Sequence, residues 1–237
     1  MKKIILSAGT FCLITLSTIA QVKPSGNHGG FMVKAGVNFA NISVTDNGRV
    51  DDAHMLTSFH AGLGADLPLS ERLSLQPALL LTGKGSKTEN GQSTGTTPTY
   101  WRATSNPLYV ELPVNFVGKI PLDEYIRVYV GAGPYVAAGI GGKNKVEGKT
   151  LGIAISSERD IVYSNDNPFT HVEENSGYGK LKRFDYGLNA LAGLDFNKFA
   201  IGANYGYGLA KINSNTANNA SDKGKHRVFS LSLAIKM

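Results

Sequence analysis

The stretch LYVELPVNFVGKIPLDEYIRVYVGAGPYVA, Leu108–Ala137, decides what kind of object this chain folds into. Leu108, Val110, Leu112, Val114 and Phe116 alternate with Tyr109, Glu111, Pro113, Asn115 and Val117. After a short turn, Ile126, Val128, Val130, Ala132 and Val136 alternate with Arg127, Tyr129, Gly131, Gly133 and Tyr135. A strict period of two means strands with two unlike faces. One face is apolar apart from Pro134; the other mixes charges, phenols, an amide and glycines. Runs of about ten residues suit tilted strands that cross a bilayer, which need ~9–11. The open question is whether the apolar face meets a protein core or lipid.

Composition sets the bounds. The chain has 237 residues, enough for one large β domain. It is rich in glycine (28 residues) and modest in charge (18%). A mean hydropathy of −0.11 leaves no place for a bundle of membrane helices. The net charge of +6 invites a nucleic-acid reading, but the lysines and arginines are scattered through expected loops, so no nucleic-acid partner is expected.

Residues 1–20 read as a secretory signal peptide: a basic start at Met1-Lys2-Lys3, an apolar run Ile4–Ile19, and small residues before Gln21. Cys12 lies inside that run, so the exported chain holds no cysteine and folds without disulfides. Residues 21–30 read as a polar linker, and residues 31–237 as a single barrel domain.

The two-residue alternation recurs at Phe31–Asn41, Thr57–Leu69, Leu73–Gly83, Arg183–Phe196, Phe199–Lys211 and His226–Met237. With the opening hairpin this makes eight strands. The connections alternate between long and short. The short ones are Ser70-Glu71-Arg72, the turn before Ile126, and Asn197-Lys198. The long ones are Ser43–Leu56, Lys84–Ser105, Gly139–Leu181 and the asparagine-rich stretch after Lys211. Within Gly139–Leu181, Leu151–Ile155 and Ile161–Tyr163 are expected to form a small extra hairpin. The fold expected is all-β: an eight-stranded antiparallel up-and-down transmembrane barrel with short periplasmic turns and long external loops. Aromatic residues band at both ends, Phe31, Phe116, Tyr125, Phe196 and Phe199 near the short turns, Phe39, Phe59, Phe184, Tyr205, Tyr207 and Phe229 near the long loops. A soluble lipocalin-like ligand-binding barrel is the alternative, with its apolar face turned inward. It would need a polar exterior, and the glycine-rich mixed face is too small to provide one.

Closing eight strands leaves an interior just wide enough to fill with side chains. The charges expected there are Lys34, Asp66, Glu111, Arg127, Asp195 and Lys236, forming a lumen polar network. Lys34 with Asp66 and Arg127 with Asp195 are the expected neighbours, because a charge walled off from water needs a partner. Pairing about the turn puts Glu111 opposite Gly131 or Gly133, and Arg127 opposite Asn115. Those two charges then stand about 13 Å apart at ~3.3 Å per residue and form no ion pair. Glu111 is expected to bond Tyr135 or another lumen group, including one on the third strand. The network reads as a plug; a narrow pore for small solutes is the alternative.

Motifs for chemistry fail inspection. Gly131-Ala132-Gly133 lacks a third glycine and sits inside a strand, and Gly142-Lys143 is followed by Asn144. The five histidines show no ligand spacing. Asp46, Asp51 and Asp52 read as a solvated loop rather than a calcium site. No catalytic residue, cofactor or metal is expected.

Five motifs together resemble the PorT-like outer-membrane β-barrel family of Gram-negative bacteria: KAGVNFANI (34–42), LSLQPALLLTGKG (73–85), YVELPVNF (109–116), VYVGAGPYVA (128–137) and DYGLNALAGLDF (185–196). The resemblance implies an integral outer-membrane barrel with a structural, binding or envelope-assembly role; it does not imply a reaction. Its partners would be outer-membrane lipid, the barrel-assembly machinery, and envelope or secretion-machinery proteins. The chain departs from the family at Met237, where an aromatic residue usually closes the last strand. Mid-strand Pro77, Pro113 and Pro134 each remove a ladder donor, so bulges or local breaks are expected there.

Overall fold

The computed structural model describes residues 30–46, 49–52, 55–92, 99–150, 153–164, 180–210 and 224–237. The expected signal peptide and all but the last residue of the expected linker lie outside them. The described strands are β1 (Gly30–Asp46), β2 (Arg49–Asp52), β3 (Leu56–Pro68), β4 (Leu73–Gly83), β5 (Ser86–Gln92), β6 (Thr99–Pro121), β7 (Ile126–Thr150), β8 (Ile153–Asp160), β9 (Val162–Ser164), β10 (Lys180–Lys182), β11 (Phe184–Phe196), β12 (Phe199–Gly208) and β13 (Lys225–Lys236).

Eight of them close a ring. The antiparallel ladders run β1-β3-β4-β6-β7-β11-β12-β13, and β13 returns to β1 with Phe39 opposite Phe229. Closure removes every edge at the height of the membrane, which a lipid environment requires of a sheet. The alternation resolves the two faces. Along β13, Val228, Ser230, Ser232 and Ala234 are buried, while Phe229, Leu231, Leu233 and Ile235 are exposed. Apolar side chains point out all round the ring, among them Phe31 (72% exposed), Leu63, Leu79, Val130 and Leu188. Such an apolar exterior suits lipid and not water. Leu231 sits halfway along β13, so Leu231→Arg should cost about 2–4 kcal/mol, the penalty of a charge near the bilayer midplane. Urea unfolding from lipid vesicles measures it; an unchanged midpoint would mean that this face does not meet lipid.

The prolines interrupt pairing without shifting it. Ladder partners are missing next to Pro77 in β3–β4, next to Pro113 in β4–β6, and next to Pro134 in β6–β7, yet the register is the same on both sides. The β6–β7 register shifts at one place, between Leu108 and Tyr109, where Ile140 is the extra residue.

Two expectations are corrected. First, the turn after β6 lies later than expected. β6 continues through Gly118-Lys119-Ile120 to Pro121, which pairs with Arg127. Glu111 therefore stands opposite Ala137, not a glycine, and Arg127 opposite Pro121, not Asn115. Second, much of the two central long loops is strand. β6 and β7 run for 23 and 25 residues, about 80 Å at ~3.3 Å per residue, far beyond an apolar band of ~25 Å. Above Leu108 they are flanked by β5 and β8, giving an external four-stranded blade in the order β5-β6-β7-β8. β9 pairs in parallel with β10 rather than forming a hairpin with β8. The blade carries charge on its outward face. Arg102 grips Glu89 through Nη2 at 2.9 Å and Nε at 3.3 Å, with Lys87 at 3.1 Å. Hydrogen bonds from Arg102 and Lys87 hold the Glu89 carboxyl down at about 2. Lys143 pairs with Glu158 in the next row and holds its carboxyl below the usual range.

Candidate functional site

The site is the lumen, and the inward parity of each strand supplies it. At the external end Lys84, one residue past β4, reaches across the barrel. Its Nζ lies 2.6 Å from Glu111 of β6 and 2.9 Å from Asp185 of β11. Tyr135 of β7 donates its hydroxyl to Asp185 Oδ2 at 3.2 Å, and the Lys84 ammonium sits 4.0 Å from the centre of the Tyr135 ring. Tyr109 and His226, both 0% exposed, close the layer with Nε2 and the phenol oxygen 3.3 Å apart. Tyr163 of β9 folds back over them, edge-on to Tyr109 with centroids 5.9 Å apart, and donates to Gly141 O at 2.8 Å. Its ring fills the space that a side chain at position 139 would occupy, so Gly139 has to lack a Cβ.

Below this layer lies a network of amide, hydroxyl and imidazole groups. Asn38 Nδ2 donates to Thr82 Oγ1 (2.9 Å) and to Gly83 O (3.0 Å). His60 Nδ1 stands 2.7 Å from Asn38 Oδ1, an acceptor only, and His60 Nε2 stands 2.9 Å from Ser232 Oγ. The Asn38 oxygen can only accept, so Nδ1 carries the proton of that bond, while Ser232 Oγ can serve either role at Nε2. Between this network and the Lys84 layer is a cavity of about 30 Å³, bordered by Lys34, His60, Glu111 and Asn189 among others. It has room for about two waters.

At the periplasmic end Lys119 of β6 pairs with Asp66 of β3 and lies 3.8 Å from Asp195 of β11. Asp195 also pairs with Lys236 of β13, and Gln76 donates to Asp66 at 3.3 Å. Both ionic layers therefore cross the lumen instead of following its wall. Lysines and carboxylates share the lumen. Lys34, Lys84, Lys119 and Lys236 face Asp66, Glu111, Asp185 and Asp195.

The six residues expected for the network fall as follows. Asp195 and Lys236 pair directly. Lys34 does not meet Asp66: Asp66 stands opposite Gly30 and Lys34 opposite Gly62, four residues apart in the ladder. Asp66 takes Lys119 instead. Lys34 borders the cavity with Glu111. Glu111 takes Lys84, just past the third barrel strand, and not Tyr135, whose hydroxyl goes to Asp185. Arg127 is Asp195's ladder neighbour, but that carboxylate turns to Lys236 and Lys119. Lys84, Lys119 and Asp185 were absent from the expectation. Lys119 carries on the inward parity of Glu111 and Asn115, and Lys84 that of Thr82, so extending each alternation by one step finds them.

Among the described residues no group of His, Cys, Asp and Glu is arranged to hold a metal ion. Among the described residues no helix is long and apolar enough to cross a membrane.

A ring with an apolar outside, ion pairs across the inside and short turns at one end defines a small outer-membrane barrel. The profile of the outer membrane protein β-barrel domain matches residues 19–214, and the chain belongs to that family. Membership puts it in the outer membrane. Similar solved structures include Ail, the attachment invasion locus protein of Yersinia pestis, in complex with the heparin analogue sucrose octasulfate. Its identity is 14% and its TM-score 0.36, over 89% of this chain and 99% of that one. Neisserial surface protein A has 13% identity and a TM-score of 0.40, covering 88% and 97%. The outer membrane enzyme PagL has 13% identity and a TM-score of 0.41, covering 87% and 99%. No curated protein matches the chain.

Proposed function

We propose that the protein is a non-conducting, non-catalytic platform of the Gram-negative outer membrane, PorT-like in kind and exported by residues 1–20. Its barrel anchors and its external blade binds partners of the envelope or the surroundings. The observation that carries this is the Lys84 clamp. One buried ammonium ties the end of β4 to β6 and β11 across the lumen, and a second ionic layer repeats the closure at the other end. A lumen for solutes would need a continuous polar path, and here Lys84, Lys119 and Lys236 are each engaged by carboxylates from other strands. The non-catalytic reading is supported by His226, which is fully buried against the equally buried Tyr109 and so lies out of a substrate's reach. The blade supports the binding role, because it stiffens segments that would otherwise be long loops, and loops on a rigid scaffold are where barrels carry function. Planar-bilayer recording tests this: the expected result is no discrete conductance from the full-length protein. Regular steps scaling with salt would replace the platform by a narrow pore.

A further inference from the structure

On the outward face, just above the external aromatic belt, Arg227 is held more firmly than a surface arginine needs to be. Its guanidinium carbon lies 3.6 Å from the centre of the Tyr207 ring. Nη1 donates to Gly208 O and His226 O, both at 2.8 Å. Stacking fixes the plane and the two carbonyls fix its rotation. Among the described residues the edge formed by Nε and Nη2 makes no hydrogen bond, which leaves it for a ligand. Among the described residues no carboxylate lies within ion-pair distance of Arg227, or of Lys225, which shares its face two residues further out. The same strand face continues downward into Phe229 and Leu231, both exposed on the lipid side. A ligand of this edge therefore approaches from the outer leaflet. The Nε/Nη2 edge of an arginine matches two oxygens of one phosphate, and a second cation nearby favours the anion further. Tyr207 and Phe229 would pack against the acyl chains beneath.

We propose that Arg227, Tyr207 and Lys225 form a binding site for the phosphate of an outer-leaflet lipid headgroup.

The test uses full-length protein refolded in neutral detergent, with heat-modifiable gel mobility as the check on folding. Binding of a bis-phosphorylated disaccharide lipid, its dephosphorylated counterpart and inorganic phosphate is followed by native mass spectrometry. Expected is binding of the phosphorylated lipid alone at micromolar concentration. Arg227→Gln should weaken it at least tenfold, and Arg227→Lys at least fivefold, because an ammonium neither stacks flat nor bonds two oxygens. Lys143→Gln, which removes the same charge from the blade, should leave binding unchanged. If Arg227→Gln does not fold, Tyr207→Leu keeps the charge and removes the shelf, and should weaken binding at least threefold. Binding by Arg227→Gln within twofold of wild type overturns the site, as does equal binding of the dephosphorylated lipid. Complete displacement by an equal concentration of inorganic phosphate overturns the lipid assignment in favour of a free-anion site.

Discussion

Lys84→Met should cost about 3–5 kcal/mol, because it strips the partner from two carboxylates that stay inside the barrel. Glu111 and Asp185 are 8% and 3% exposed, and Lys84 lies within 3 Å of both. Without the ammonium they face each other unpaired in a low-dielectric interior. The measurement is the urea midpoint of the protein folded in lipid vesicles. A triple variant, Lys84→Met with Glu111→Gln and Asp185→Asn, removes the orphaned charges together and should recover most of the loss, since a whole buried cluster is often replaceable where half of one is not. A single-variant loss below about 1 kcal/mol would mean that water reaches the carboxylates and that the lumen is open at this level.

Gly139→Val should release Tyr163 from the barrel mouth. A Cβ at position 139 would stand 2.2 Å from Tyr163 Cε1, 2.5 Å from Cζ and 2.7 Å from Cδ1. The ring has no free direction: its other side meets Tyr109, and its hydroxyl is tied to Gly141 O. Forcing a larger side chain into a filled site costs about 1–3 kcal/mol. The cycle with Tyr163→Ala identifies the cause. Once the ring is gone the valine fits, so the double variant should lie within about 0.5 kcal/mol of Tyr163→Ala alone, far from additive. Additive losses would show that Gly139 is needed for its backbone and not for the ring.

The ring of strands was readable because each strand is wet or greasy by turns. Leu108–Ala137 contains both faces of two barrel strands, and the burial of Glu111, Asn115 and Tyr135 follows their parity. What was not readable is where a strand stops once it leaves the membrane. Above Leu108 neither face meets lipid, so Thr104, Ser105, Lys143 and Lys145 read as loop although they sit in ladders. The ion pairs that hold those rows, such as Arg102 with Glu89, join residues 13 apart and become visible only after pairing. The lumen contacts failed for a related reason. A shift of the β6–β7 turn by a few residues moves every partner, and the residue that reveals the shift, Lys119, sits where a turn was expected. Parity assigns a face; height within the barrel depends on register, which alternation leaves free.

The blade has a mechanical consequence. Its two central strands are the same strands that cross the membrane, with no linker between tip and anchor. A partner that binds the blade and pulls outward along the strands loads the β6–β4 and β7–β11 ladders in shear, so many backbone bonds resist at once. A pull that spreads β6 from β7 at the tip would open their bonds one after another, beginning at Tyr100 and Lys149. The protein should hold a load along the membrane normal far better than a sideways one.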